Sequence, residues 1–538
     1  MDELGGIPLL SSADHGLTPP RIVIPRRYNA AHDLLERNLR DGRADKPAYI
    51  DDAGVYTFGE LAQRVNRFAN ALGGLGIRME QRVLLCLHDT IDFPVAFLGC
   101  IKAGVVPIAL NTLLTPADLH YILNDSRACA IVVSGPLLAT FQTTLGAASF
   151  LKYVIVSNGQ ESEQLSMRAL LENAPAEYEP APTTCDDMCF WLYSSGSTGA
   201  PKGTVHVHSS LIQTAELYGR PVAGFCEEDL VFSVSKLPFA YGLGNSLTFP
   251  LAVGATAILM QERPTPAAII SRLRRYRPTV LCSIPSSYAA LLAHPDLPRR
   301  DEMRLRVCTS AGEALPEDVG RRWQHHFGVE IVDGIGSTEM LHVYLSNRPG
   351  DVHYGTTGRP VPGYEVRIVD EAGKAVPPGE PGELHVRGST SALLYWNNRA
   401  RSCSTFVGEW LRTGDKYRQR EDGCYVYEGR LDDMLKVGGL YVSPIDVESA
   451  LIRHEAVLEA AVVAKEDPEG LVKPCAYVVL KPGAQISVQE LQQHVKGLLA
   501  PYKYPRWIEF VAELPKTPTG KIQRFMLRQW AAGRGTAS

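Results

Sequence analysis

The stretch richest in chemistry is YSSGSTGAPKG, Tyr193–Gly203, most of it Ser, Thr or Gly, with Lys202 next to last. Such a loop offers an anion backbone N–H groups, hydroxyl donors and one ammonium, and a triphosphate suits that donor set. Upstream, the aromatic and apolar CFWLY (Cys189–Tyr193) reads as a buried strand; downstream, TVHVHSSLI (Thr204–Ile212) alternates like a second strand before a helical run. The spacing is not GxxxxGK(S/T), because Ala200 and Pro201 separate Gly199 from Lys202, and it is not GxGxxG. An ordinary flexible Ser/Gly turn accounts for the same residues.

Three further runs have the residue types to complete a nucleotide site. In DGIGSTE (Asp333–Glu339), a hydroxyl beside a carboxylate follows an apolar strand. Glu339 can give Mg2+ a hard oxygen, directly or through water, while Thr338 holds a phosphate oxygen. The alternative is a helix N-cap, with Ser337 or Thr338 capping and Glu339 in the first turn. RTGDKY (Arg412–Tyr417) sets Asp415 after a glycine turn, where a carboxylate can accept from both ribose hydroxyls or stand as a solvated turn residue. LPKTPTGKIQR (Leu514–Arg524) carries Lys521 on a Pro/Gly/Thr loop able to push an ammonium into a cleft; nearby Lys516 reads as a solvated surface lysine. His206 and His208 lack a third ligand and read as strand residues rather than metal ligands.

The elements that must position these residues follow from the pattern of apolar runs. Helical spacing over Asn29–Asn38, Phe58–Leu75, Phe93–Ala103 and Thr115–Ser126 alternates with short apolar strands such as Arg82–Leu87. The alternation resumes through ATAILM, TVLCSI, RVCTSA and VEIVDGIG, which argues for parallel sheets covered by helices. Tyr49–Phe58 reads as a hairpin, and residues 1–27 as an irregular lead-in. From about residue 350, VRIVD, GELHVRG and CYVYEGR predict a β-rich subdomain, and from Met434 a compact α+β module follows. The expected fold is therefore α/β: a large N-terminal domain, 1–431, with its β-rich part at about 350–431, and a small C-terminal domain, 432–538.

With 538 residues, 45% apolar and 21% charged, the chain is expected to be soluble and globular. A net charge of −5 without a long basic run gives no footprint for nucleic acid. Eleven cysteines without paired CxxC spacing, and an acidic MDELGGIPLL start unlike a signal peptide, lead to the expectation of a reduced cytoplasm. The most apolar stretch, Phe93–Leu110, is broken by Lys102 and Pro107 and is expected to be core, not a membrane span.

These motifs, in this order and over nearly the whole chain, resemble the signatures of the acyl-adenylate-forming superfamily: acyl-CoA ligases, carrier-protein adenylation domains and luciferases. The resemblance implies that Ser194, Ser195, Gly196, Ser197, Thr198, Gly199 and Lys202 cradle the phosphates of ATP. It implies that Gly312, Glu313 and Ala314 border the base, and that Asp333 contacts the adenine amine beside Gly334 and Ile335. Relatives commonly carry an aromatic residue where Ile335 stands, so a π-stack is unavailable here. Glu339 becomes the Mg2+ ligand, Asp415 the ribose acceptor and Arg430 a ribose and phosphate contact. Lys521 becomes the catalytic lysine of adenylation, acting with Thr338. Asp432 falls at the hinge between domains, and Gly438 and Gly439 at the loop lining the pantetheine tunnel for CoA. A hinge has a physical reason, since two reactions share one site: adenylation wants a cation over the α-phosphate, and thiol attack wants that space opened.

KLPFAYGLGN (Lys236–Asn245) resembles the segment that forms the acid pocket, with Phe239 as its gate and Ala240 and Tyr241 facing the acid. Amino-acid-activating relatives usually have an aspartate where Ala240 stands, so a substrate ammonium would be buried unpaired. The resemblance adds Ala311, Gly336, His342 and Val343 to the lining, a flat slot suited to a small planar ring. His342 could equally be a structural histidine bonded to backbone. These motifs, with LLAPYKYPRWIEF, are most similar to the benzoate-CoA ligase branch. The expectation is thus an AMP-forming aryl-acid:CoA ligase of aromatic acid metabolism that uses ATP, Mg2+ and CoA, acts without nucleic acid or membrane, and forms a homodimer. An enzyme loading an aryl acid onto a carrier protein, or a non-catalytic nucleotide-binding relative, are the alternatives.

Overall fold

The computed structural model describes residues 9–146, 148–158, 164–196, 199–437, 440–468, 471–499, 503–516 and 522–533. Ser197, Thr198, Gly438, Gly439 and Lys521 lie outside the described residues, and of Ser195 and Asp432 only the backbone is described.

Two large sheets dominate. One has eight strands, ordered Leu394–Tyr395, Gly199–Val207, Met188–Gly196, Val106–Ala109, Arg82–Cys86, Ala130–Ser134, Tyr153–Ser157 and Leu165–Ser166. The other has nine, ordered Arg359–Pro360, Val343–Ser346, Ile331–Gly336, Val307–Ser310, Val280–Ser283, Leu230–Ser233, Thr256–Ile258, Pro47–Ile50 and Val55–Thr57. Strands in the middle of each sheet run parallel; antiparallel partners close both edges of the nine-stranded sheet and one edge of the eight-stranded sheet, whose other edge strand, Leu165–Ser166, pairs parallel. Continuous apolar strands follow from burial on both faces. Val83 and Leu85 face one core while Leu84 faces another, and Val231 and Phe232 divide in the same way.

The largest core fills the space between the sheets and includes helices Ala30–Arg40, Phe58–Gly74 and Asp92–Lys102. Helix Asp92–Lys102 is buried along almost its whole length because it has a sheet-bound neighbour on every side, which explains its lack of a polar face. Helices Pro266–Tyr276 and Glu317–Phe327 cover the outer face of the nine-stranded sheet, and Pro116–Ser126 covers that of the eight-stranded sheet. The β-rich expectation is met by an antiparallel sheet of Glu365–Val369, Pro381–Arg387, Trp410–Gln419, Phe406–Val407 and Tyr425–Arg430.

The C-terminal segment has its own three-stranded sheet, Val457–Glu466, Val472–Leu480 and Trp507–Phe510. Helices Pro444–Ile452 and Val488–Leu498 pack on one face of it, and Arg524–Ala531 packs on the other. Two details differ from the expected pattern. The lead-in forms a short antiparallel pair, Ser12–Asp14 with Arg21–Val23. The anion loop is a hairpin tip, since Gly196 opposes Gly199 in the register of two antiparallel strands.

Candidate active site

In sheets of parallel strands, ligands gather at the strands' carboxyl ends. Three such ends converge here: Val280–Ser283 leads into Pro285 and Ser286, Val307–Ser310 into Gly312–Ala314, and Ile331–Gly336 into Ser337–Glu339. They open on a cleft of about 1420 Å3, whose walls include Ser194, Lys202, Glu313, Asp333, Ile335, Thr338, Glu339, Asp415 and Arg430. Of the nucleotide-site residues expected from sequence and described in full, the structure thus gathers most around one space.

Lys202 Nζ lies 3.5 Å from Glu339 Oε1, and each side chain is only 15% exposed. The Tyr395 hydroxyl donates to the same Glu339 oxygen at 2.6 Å, while Lys202 sits 4.4 Å from the centroid of the Tyr395 ring. Burial pushes the Glu339 carboxyl up, but the Lys202 ammonium and the Tyr395 hydroxyl outweigh it and hold the group below the usual carboxylate range. Burial draws the Lys202 ammonium below its ordinary value, with Glu339 opposing. An ionised carboxylate and an ammonium are thereby held together at the cleft wall.

The segment after Gly336 is a turn leading to strand Val343–Ser346, which replaces the N-cap alternative. Leu341 takes φ +66°, a left-handed conformation that costs a non-glycine residue about 1–3 kcal/mol. Hydrogen bonds hold this turn from several sides, two of them to Met340 O from His342 N and Thr390 Oγ1, each at 2.8 Å. Thr338 O accepts from Leu341 N at 3.2 Å and from His206 Nε2 at 2.8 Å. Met340 N donates to Ser337 Oγ at 3.2 Å, and Ala392 N to Glu339 O at 2.7 Å. Burial pushes the His206 ring down to about 4, so it is neutral and its Nε2 carries the proton that the carbonyl accepts.

Asp415 and Arg430 oppose each other on neighbouring strands, with Arg430 Nη1 donating to Asp415 Oδ1 at 3.0 Å and to Thr413 O at 2.8 Å. Gly414 needs its missing side chain: its φ is +70°, and a Cβ would lie 2.8 Å from Arg430 Nη2. Asp333 is buried and its Oδ1 has no hydrogen-bond partner, while burial holds the carboxyl well above the usual range. In either protonation state such a group keeps an acceptor for an amine. Glu313 accepts from Ser286 N at 3.1 Å, and burial raises it as well.

Of the expected acid-pocket residues, Tyr241 and His342 join Tyr218 and Phe249 in an aromatic cluster. His342 packs 4.6 Å from Phe249, 5.2 Å from Tyr218 and 5.4 Å from Tyr241 between ring centroids. Its Nε2 meets Tyr241 O at 3.4 Å, so the backbone-bonded alternative holds for that nitrogen. Burial pushes His342 down to about 3, leaving a neutral ring. The Tyr241 hydroxyl bonds Thr309 Oγ1 at 2.7 Å. Ala311 and Val343 are buried, while Phe239 and Ala240 are partly exposed at the start of helix Ala240–Leu243. Gly336 needs a correction. A Cβ there would lie 2.5 Å from His342 O, so the glycine admits the neighbouring backbone rather than leaving an open slot for the acid.

On the C-terminal side, Lys516 and Ile522 pair in an isolated bridge and both line the cleft. Lys516 is exposed, as a solvated lysine should be, and its ammonium pairs with Glu459 Oε1 at 2.6 Å. Arg524 is held by Glu448, with Nη2 to Oε2 at 3.0 Å, and lies 3.6 Å from Asp433, one residue beyond Asp432.

Sequence reasoning passed over Tyr395 and took His206 for an ordinary strand residue. Tyr395 reaches Glu339 because Leu394–Tyr395 pairs with Val205 and Thr204, a contact that no local pattern announces. The described residues include no helix long and apolar enough to cross a membrane.

Residues 35–396 match the family described as AMP-binding enzyme, and residues 446–521 match the AMP-binding enzyme C-terminal domain. A benzoate–CoA ligase of Thauera aromatica is 62% identical over 96% of this chain and 99% of its own. A 4-hydroxybenzoate–CoA/benzoate–CoA ligase of Rhodopseudomonas palustris is 46% identical over 94% and 95%. Among solved structures, a benzoate CoA ligase from Burkholderia xenovorans LB400 superposes with a TM-score of 0.88 at 54% identity, over 93% of this chain and all of that one.

Proposed function

The chain belongs to the AMP-binding enzyme family, and from that membership and the site's geometry we propose that it is an AMP-forming aryl-acid:CoA ligase acting on benzoate and small ring-substituted benzoates. The observation that carries the reading is the single strand end Asp333–Glu339. It lines the cleft with Asp333, Thr338 and Glu339 and, through Gly336, packs against the backbone of His342, whose ring stands in an uncharged aromatic cluster.

In the first half-reaction a carboxylate oxygen of the acid attacks the α-phosphorus of ATP and the bond to pyrophosphate breaks. Lys202 and the hairpin tip, with Ser194–Thr198, hold the departing phosphates, Asp415 holds the ribose with Arg430 beside it, and Asp333 accepts from the adenine amine. Ile335 covers an adenine face. Thr338 and Glu339 are hard oxygen donors, and the ionised state of Glu339 fits a Mg2+ site. Mg2+ bound there neutralises charge on the phosphates. Lys521 brings an ammonium to the transferring oxygens. In the second half-reaction the CoA thiol attacks the adenylate carbonyl and AMP leaves, with Gly438 and Gly439 beside the thiol's path. The residues of 432–538 turn about Asp432 between the two steps, relative to 1–431. The reading extends to a cytoplasmic homodimer.

An acid needs no charge partner here, since Ala240, Tyr241 and neutral His342 offer none, and an α-amino acid would be left with an unpaired ammonium. Pyrophosphate exchange run beside a CoA-thioester assay tests the proposal. Both should depend on benzoate; exchange without thioester would instead indicate loading of a carrier protein.

A further inference from the structure

His206 sits on the strand Gly199–Val207 of the eight-stranded sheet, and Thr338 lies beyond a strand end of the nine-stranded sheet, 132 residues away. Their 2.8 Å hydrogen bond is therefore a tie between the two sheets at the cleft wall. Side chains four apart on a strand share a face, so Lys202 and His206 project the same way. Lys202 meets the carboxylate of Glu339, and His206 meets the carbonyl one residue earlier.

Two observations indicate that this bond is more than satisfied packing. The imidazole is fully buried, stacked 5.2 Å from Phe190, and its Nδ1 has no partner. An apolar side chain would fill that space without leaving a buried nitrogen unsatisfied, so the Nε2 donor is what a histidine adds. The turn it holds contains Leu341 at φ +66°, a conformation that persists only when its surroundings over-determine it.

We propose that His206 is a positioning residue: by holding the Thr338 carbonyl it fixes the Thr338 hydroxyl and the Glu339 carboxylate where the nucleotide's phosphates and their cation bind. The inference rests on the reading of Thr338 and Glu339 as that binding pair. It predicts that His206 acts on nucleotide binding and adenylation and leaves thiol attack alone.

The test compares His206→Gln, whose amide nitrogen reaches the position of Nε2, with His206→Asn, whose shorter amide does not. Binding of MgATP by calorimetry, benzoate-dependent pyrophosphate exchange, thioester formation from supplied benzoyl-adenylate and melting temperature are measured for both. Outer partners of metal and phosphate ligands typically matter by about 10–100-fold. The Asn variant should weaken MgATP binding by about tenfold and slow exchange by about 10–100-fold, with thioester formation nearly unchanged; the Gln variant should recover most of both losses. Asn and Gln variants alike in MgATP affinity, or an Asn variant that loses both half-reactions equally, would overturn the proposal. A wild-type enzyme without benzoate-dependent exchange would contradict the functional reading instead, and the MgATP affinities of the two variants would still decide the role of His206.

Discussion

On the cleft side of Gly336 stand Lys202, Glu339, Asp415 and Arg430, charged groups paired with one another. Behind the same glycine stand Tyr218, Tyr241, Phe249 and His342, packed ring against ring, with the one titratable imidazole pushed to neutrality by burial. The contrast follows from what each wall does. In the proposed function, triphosphate and ribose are the same for every acid, so a wall that receives them can be pre-organised charge. The acid's ring is the variable partner, and shape without charge discriminates it.

That division can be broken in stages. Replacing Lys521 by Ala should cost adenylation about 10²–10³-fold, the usual scale for one donor to transition-state charge, and spare thioester formation from supplied benzoyl-adenylate. Stopped-flow or exchange kinetics of each half-reaction would show this, and equal losses would contradict the assignment of Lys521 to the first step. Gly336→Ala should lower activity on every acid alike and lower the melting temperature, because the new Cβ meets the His342 backbone. Ala240→Val should behave differently: para-substituted benzoates should lose about 10–100-fold in kcat/KM while benzoate loses much less. A flat loss across an acid panel would remove Ala240 from the lining.

Smaller effects sharpen the charged wall. Tyr395→Phe removes the hydroxyl that helps keep Glu339 ionised, and hydrogen bonds to charged groups are worth about 1.5–3 kcal/mol. Adenylation should fall about tenfold or more, with the KM for benzoate little changed. The smallest effect lies outside both walls. His208 is buried, accepts from Ala30 N at 3.2 Å and is pushed down to about 4. A histidine depressed in the folded state contributes stability above its unfolded value of about 6.5 and loses it as pH falls. Between pH 6.5 and 5 each such group should cost about 2 kcal/mol. Denaturant unfolding of His208→Asn, which retains an acceptor, should show a pH-dependent loss smaller by about that amount.

The nucleotide wall was legible in the sequence where its chemistry is local: YSSGSTGAPKG, DGIGSTE and RTGDKY each place their donors within one loop. The sheets were legible because strands buried on both faces leave continuous apolar runs, as in RVLLC and VLCS. The rest depends on which distant strands meet. Tyr395 and His206 gain their partners only when Leu394–Tyr395 and Gly199–Val207 lie side by side against the turn after Gly336. Gly336 suggested an open slot because a glycine in a sequence does not say whether a ligand or a neighbouring backbone fills the space beside it. Lys516 is exposed as its sequence context suggested, but its partner Glu459 lies on a strand that only folding brings near.

The most direct test of the account is a structure with a non-hydrolysable benzoyl-adenylate analogue. The account predicts its phosphate beside Thr338, its ribose hydroxyls on Asp415 and its ring against Tyr241. A nucleotide bound away from Thr338 and Asp415, or a ring outside the cluster around Tyr241, would contradict it.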